Sequence, residues 1–449
     1  MPITWTAEQI VAMAPDTASA KAGKDLAVQR KWVTLGTTEE AAWGECQGSS
    51  SKPYQTQIDL SEPAFRCSCP SRKFPCKHGL GLLLLLEKQP AAFTQTETPD
   101  WVKDWIDGRA KKAEQKARRV EKQADPESQP DPAAQAKRAA QREAKVAAGM
   151  KELELWLSDQ MRHGLAALQR EGYAYWDTPA ARMVDAQAPG VARILREMAG
   201  IGATGSGWES RMLEQFGRLQ LLVEGYKRLD TLPQPVQADV RSRIGWTQNQ
   251  DELLAQPGVS DTWAVLGQRV EEEDRLRVQR TWLVGRTTGK RALILDFSAH
   301  SSQPLDKSLV PNTQLEAELV FYPGNFPLRA LVKQRIQSPT VLTEIPSATD
   351  IAVAIEAYAQ GLAAHPWLEL FPMMMSAVVP VPKKNDTWLL RDVHGQSVPV
   401  ARKFSFGWQL LALSGGHPCQ IFGEWNGREF LPISLWIDGT FVHFDLAQV

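Results

Sequence analysis

The sequence predicts an α+β, multidomain chain: a small metal-pinned ββα unit at the N-terminus, a helical middle region and a β-rich C-terminal region. Three observations carry this. Cys67-Ser-Cys69 and Cys76-Lys-His78 place three of the five cysteines and one of the seven histidines within twelve positions. Between 150 and 250, apolar residues recur at helical spacing. Beyond 260, apolar and polar residues alternate between hairpin-type turns.

The chain has 449 residues, enough for roughly two to four domains. Hydrophobic residues make up 43%, which supports sizeable cores and excludes global disorder. The formal net charge is -1, so no global field advertises nucleic acid or cations, and any such patch is local. Five unevenly placed cysteines do not make a disulfide scaffold. A ligand-spaced cluster in a Cys-poor chain suggests a reducing compartment. Met1-Pro-Ile-Thr-Trp5 has neither the charges nor the apolar run of a signal segment. The longest apolar run, Leu80 to Leu86, falls far short of the ~18–20 residues that span a bilayer. The expectation is a soluble, cytoplasmic protein without a membrane partner.

Thr6 can cap a first helix beginning at Ala7. Trp32 to Leu35 and Ala41 to Gly44 read as strands, and Gly48 to Pro53 as a loop. Tyr54 to Leu60 alternates as a half-buried strand does, Phe65 to Cys69 is its returning partner, and Pro70 stops it. Gly79 to Glu87 is apolar all round, so it reads as a helix buried on most faces, with Trp32, Trp43, Phe93 and Trp101 as candidates to cover it. Residues 1–102 are expected to form the finger domain. Residues 103–150 read as a charged linker. Arg109 to Lys122 holds seven basic and two acidic residues, the proline-rich stretch Asp125 to Pro132 breaks any helix, and 133–148 forms a second potentially helical arm.

In the helical region, 151–250, Leu153, Trp156, Leu157 and Met161 share one face. Val191, Ile194, Leu195 and Met198 follow, then Met212, Leu213, Phe216, Leu219, Gln220 and Val223. Residues 251–449 are expected to be β-rich, divisible into two small β units around a helix near 350–363. Asn426-Gly427 and Asp438-Gly439 are two-residue hairpin turns, and Gly285 to Lys290 joins another strand pair.

Thiolate and imidazole are the ligands zinc prefers, and Cys67, Cys69, Cys76 and His78 complete a tetrahedral shell. Each close pair brings two ligands from one local turn, and the six-residue spacer folds the second pair onto the first. Four protein ligands leave no open position for water, so the site is structural rather than catalytic. Three thiolates leave a net charge of about −1 on the Zn²⁺ centre. Arg66, Arg72, Lys73 and Lys77 surround it. Their simpler role is to offset that charge; their sharper role is to contact a partner, including phosphates.

The motif, with Trp43-Gly44-Glu45-Cys46-Gln47-Gly48-Ser49 and Lys52-Pro53-Tyr54 upstream and Cys69 through Leu80 around it, resembles bacterial SWIM-type zinc finger proteins over residues 40–90. The resemblance implies one structural Zn²⁺ held by Cys67, Cys69, Cys76 and His78 in a ββα module that binds DNA or protein. It also points to AAA-type ATPases or von Willebrand A-domain proteins as partners.

Other constellations are weaker. Cys46 lies outside the two pairs and reads as a small buried hydrophobe. His417-Pro418-Cys419 lacks a partner pair. Gly285 to Arg291 only faintly resembles a phosphate loop: it is one residue short, has Arg291 where the magnesium-binding hydroxyl belongs, and leads into a strand. Glu152 and Glu154 point to different helix faces, and His163 reads as a surface or cap residue. The expected function is therefore a zinc-binding, non-catalytic interaction protein, with a protein partner favoured. The alternatives are a DNA-binding protein using the finger's basic residues and the 109–122 arm, and an enzyme with an unrecognised site in the C-terminal β region.

Overall fold

The computed structural model describes residues 5–14, 17–47, 52–60, 64–71, 75–94, 97–109, 132–273, 276–298, 305–337, 339–342, 344–444 and 446. The N-terminal part opens with α1 (Ala7–Ala12) and α2 (Thr17–Leu26), followed by an antiparallel meander of β1 (Trp32–Thr37), β2 (Ala41–Cys46), β3 (Tyr54–Asp59) and β4 (Ala64–Cys67). The expected ββα unit is thus β3, β4 and α3 (Lys77–Lys88), extended into a four-stranded sheet by β1 and β2.

Alternation along β2 divides the aromatic residues between two clusters. Ala42 and Cys46 face α3, where Leu80, Leu82, Leu83 and Leu85 pack with Ile10, Trp32 and Phe93. Ala41 and Trp43 face the other way and meet Val102, Trp101 and Ile106 of α4, helical over residues 100–109. Trp32 and Phe93 therefore cover the leucine helix, as expected. Trp43 and Trp101 do not, because a period of two puts them on the opposite face of the sheet.

The helical middle comprises α5 (Pro132–His163), α6 (Tyr173–Asp185), α7 (Pro189–Met198), α8 (Trp208–Lys227) and α9 (Gln234–Ile244). The segment 133–148, read from sequence as a linker arm, is continuous with the first bundle helix, and its Val146 is fully buried in the bundle core. Leu153 and Leu157 are buried and Trp156 stacks on Phe216 at 5.8 Å. Met161, placed by its spacing on the same face, is 48% exposed because the helix ends two residues later. On α8, Met212, Phe216, Leu219 and Val223 are buried, whereas Leu213 faces solvent.

After α10 (Gln250–Leu254) come two six-stranded sheets. The first contains β5 (Val259–Glu273), β6 (Leu276–Gly285), β7 (Arg291–Ser298), β8 (Thr313–Phe321), β9 (Ala330–Arg335) and β10 (Thr340–Val341). The second contains β11 (Phe371–Pro382), β12 (Trp388–Arg391), β13 (Ser397–Pro399), β14 (Cys419–Trp425), β15 (Phe430–Ile437) and β16 (Thr440–His443). The expected helix between the two β units is α11 (Ile351–Ala364), capped by the Asp350 side chain, which accepts from Val353 N–H at 2.8 Å. Both hairpins form, but Asn426-Gly427 opens a four-residue connection between β14 and β15 in which Asn426 Oδ1 accepts from Arg428 N–H and Glu429 N–H, whereas Asp438-Gly439 is the expected two-residue turn. Asp438 and Gly439 have φ of 48° and 74°, the positive pair a type I′ turn requires.

The sheets dock through an apolar layer in which Ala264, Leu266 and Trp282 meet Phe422, Ile433 and Trp436. Glu424, 1% exposed, joins them by polar contacts. It accepts from Trp282 Nε1 at 2.7 Å and pairs with Arg269 Nε at 2.6 Å.

Helix α12 (Gly407–Ser414) closes one end of the second sheet. A Cβ at Gly407 would lie 2.2 Å from the Trp388 ring, so only glycine lets the helix approach. Gly407→Ala is expected to lower stability by about 1–3 kcal/mol through overpacking. The shift should appear in the thermal midpoint of the C-terminal region, and an unchanged midpoint would show that the ring moves freely.

Candidate metal centre

The four predicted ligands converge. Cys67 ends β4, Cys69 follows two residues later, Cys76 is the residue preceding α3, and His78 lies in the first turn of α3. Their donor atoms all lie within 4.8 Å of one another. His78 Nδ1 is 3.7 Å from Cys67 Sγ and 3.9 Å from Cys76 Sγ. Zn–S bonds near 2.3 Å and Zn–N bonds near 2.0 Å at tetrahedral angles put such atoms about 3.5–3.8 Å apart. The four side chains therefore fit one structural Zn²⁺.

The local fold explains the convergence. Thr56 pairs with Cys67 across the β3–β4 ladder, and its Oγ1 lies 3.2 Å from Cys67 Sγ. Pro70 lies directly after Cys69 and Pro75 directly before Cys76, outside both β4 and α3. Tyr54 lies against the His78 ring, centroids 5.0 Å apart, and His78 itself is 4% exposed. Thr56 and Tyr54 are supporting residues that motif spacing does not reveal. They follow from the strand register: Thr56 is the ladder partner of Cys67, and Tyr54 lies two positions before it on the same face of β3.

Three sulfurs this close cannot all ionise independently. Hydrogen bonds from Cys67 and then Cys76 push the Cys69 thiol far below its ordinary range. The same contacts, with burial, push Cys76 up, and the Cys69 contact raises Cys67. A divalent cation removes this frustration by replacing the shared protons. Cys46 behaves differently. It is fully buried in the leucine core, and burial pushes its thiol up to about 11. It is not one of the converging ligands.

Of the basic residues expected around the centre, Arg66 and Lys77 are exposed. Arg72 and Lys73 lie outside the described residues. Lys77 is the first residue of α3, where the helix dipole disfavours a cation. Thiolates of net negative charge beside it reverse that preference, which supports a charge-balancing role. In the expected 109–122 arm, Arg109 Nε binds Asp59 Oδ2 at 2.9 Å, and 110–122 lie outside the described residues.

The weaker constellations take structural positions. The turn after β6 contacts an acid: Asp261 accepts from Thr287 N, Thr288 N and Thr288 Oγ1 at 3.1, 2.8 and 2.7 Å. A carboxylate already holds the donors a phosphate would need. Cys419 donates to Val378 O at 3.2 Å, and burial pushes its thiol up to about 12, while His417 is exposed. His163 Nδ1 lies 2.7 Å from Asp159 O, one helical turn earlier. Glu152 and Glu154 pair with Arg182 and Lys227. A cleft of about 520 Å³ beside β5 is lined by Arg269, Glu271, Arg277 and Lys403. There Glu271 is already bound by Arg269 and Arg280.

No described helix is long and apolar enough to cross a membrane. Comparison with known proteins agrees with the geometry at two places. Residues 54–87 match the family model of the SWIM zinc finger, and residues 141–244 match that of the SWIM-associated four-helix bundle domain. No match to a curated protein or to a solved structure was found. The first matched span holds all four converging ligands, and the second covers the bundle from within α5 to the end of α9. The chain thus carries a SWIM zinc finger and, after a charged segment, a SWIM-associated four-helix bundle domain.

Proposed function

We propose that this chain is a non-catalytic interaction protein of a reducing compartment, in which zinc holds the N-terminal domain in the shape that a protein partner recognises. The observation that carries this reading is the closed ligand set: four protein donors, two of them buried, leave no coordination position for substrate. The ionisable groups of the cleft beside β5 point the same way. Burial opposes ionisation of Glu271, but Arg269 and Arg280 hold its carboxyl down at about 2, so it has no proton to give near neutral pH.

Exposed Arg66 and Lys77 lie at the rim of the finger, where they are available both to balance the thiolates and to meet an acidic partner surface. AAA-type ATPases and von Willebrand A-domain proteins are the partner classes that SWIM-type resemblance suggests. The test compares the full zinc-loaded chain with Cys76→Ser as bait, using purified candidates of both classes. Retention by the parent and loss by the variant, with the bundle still folded, is the expected result. Equal retention by both, or purified parent protein free of zinc, would overturn the reading.

A further inference from the structure

The two C-terminal sheets repeat one unusual connectivity. In the first, β5 pairs with both β6 and β8, β6 pairs with β7, and β8 with β9. The path closes where β7 meets the start of β9 in parallel at Leu293 and Arg329. In the second, β11 pairs with both β12 and β14, β12 with β13, and β14 with β15. It closes where the end of β13 meets β15 in parallel at Val400 and Phe430. Each circuit runs first–second–third–fifth–fourth. In each, the first strand is the longest and is bulged, between Val265 and Gly267 and between Met375 and Val378. These are the features of the OB-fold, a partly open five-stranded barrel whose second and third strands present a face for oligonucleotides or oligosaccharides.

The two barrels use that face differently. In the first, Trp282 and Val284 on the second strand and Leu293 on the third belong to the apolar layer formed with Phe422, Ile433 and Trp436 of the second barrel. That face is an internal joint. In the second barrel, Val381, Leu389 and Pro399 are paired across three strands, as are Val379, Arg391 and Ser397. Paired residues share a face. The alternating residues Leu390 and Val398 are buried, so this set points outward, and Arg391, Ser397 and Pro399 are exposed.

The chemistry of this open face is cationic with one flat ring at its edge. Lys383 and Lys384 stand exposed between β11 and β12, and Arg402 stands exposed after β13. Among the described residues, none of these three, nor Arg391, has an ion-pair partner. The neighbouring acids are engaged. Asp386 accepts from Trp408 Nε1 at 3.0 Å, and the buried Asp392 accepts from the backbone N–H of Ile351, His394 and Gln396. Trp408 is 61% exposed, held edge-on against Trp388 at 5.0 Å. Free cations favour a polyanion over a neutral oligosaccharide, and an exposed indole favours unpaired bases over a duplex whose bases are already stacked.

We propose that the face formed by β11, β12 and β13 binds a single strand of nucleic acid, with phosphates along Lys383, Lys384, Arg391 and Arg402 and a base stacked on Trp408. This site is separate from the finger and does not depend on what the finger binds. The test measures fluorescence anisotropy of a labelled oligo-dT of about 20 nucleotides with the full zinc-loaded protein, at low and moderate KCl. Lys383→Glu/Lys384→Glu/Arg391→Glu should reduce the slope of log affinity against log salt by about two, at roughly 0.7 for each phosphate left without its cation. Trp408→Ala should weaken binding by about tenfold while Trp408→Phe retains most of it, since stacking needs only a π-face. Lys88→Glu, at the far end of α3 in the finger domain, should leave affinity unchanged. No binding at low salt overturns the proposal. So does equal affinity for duplex DNA, equal displacement of the oligonucleotide by polyglutamate, or loss on Lys88→Glu in place of the barrel substitutions.

Discussion

Cys76→Ser is expected to abolish zinc retention and unfold the N-terminal domain, leaving the bundle and both barrels folded. Binding energy at a structural zinc site is folding energy, on the order of 10–16 kcal/mol for zinc-finger peptides near neutral pH. Few domains have that much stability in reserve. The loss is concentrated here because Cys76 is the hinge between the ligand loop and α3. Without metal, the three thiols share protons at close range, and nothing else among the described residues pins β4 to the first turn of the leucine helix as firmly as four metal bonds. Removing zinc from the parent with a chelator should give the same state. Acid should do so too: the ligands bind metal only when deprotonated, so protons compete and zinc is released as pH falls. Zinc stoichiometry and calorimetry check this. A Cys76→Ser protein that keeps the N-terminal transition of the parent would show that the leucine core holds the fold unaided.

The metal centre was legible because its information is local: two ligand pairs within twelve positions carry both residue type and spacing. The hairpin turns and α11 were legible for the same reason, since Asn426-Gly427, Asp438-Gly439 and the Asp350 cap act within a few residues. What stayed hidden depends on register and on distant pairing. Trp43 and Trp101 are hydrophobic in either reading, and only the pleat of β2 assigns them to the far face. The barrels close through Leu293 with Arg329 and Val400 with Phe430, pairs far apart in the chain that carry no shared motif. The likeness of the two sheets therefore appears in their connectivity and not in a shared sequence motif. The turn after β6 divides the same way. Its glycines mark a hairpin, which forms between β6 and β7, but its distant partner Asp261, on the neighbouring strand β5, which holds its N–H groups, leaves no local trace.

Arg269→Met should destabilise the C-terminal region by about 3–5 kcal/mol, because it strands a buried carboxylate. Glu424 is 1% exposed and would keep only the Trp282 N–H. Glu424→Gln should cost less. Its amide oxygen still accepts from Trp282, and Arg269 keeps the Glu271 carboxylate as its counter-charge. The double variant Arg269→Met/Glu424→Gln should recover much of the loss, since no unpaired charge remains at the joint between the barrels. Urea midpoints of the C-terminal transition, with hydrogen exchange of β5 and β14 amides, resolve the three variants. If Arg269→Met proves as mild as Glu424→Gln, or the second substitution rescues nothing, the apolar layer alone holds the barrels together. The pH response has a definite sign. Burial opposes ionisation of Glu271, yet Arg269 and Arg280 lower its carboxyl from 4.5 to about 2. Its contribution is fully present above the ordinary carboxylate range and is lost as pH falls toward about 2. Acid should therefore loosen the barrel joint on the Arg269 side through Glu271, and Arg269→Met should flatten that dependence.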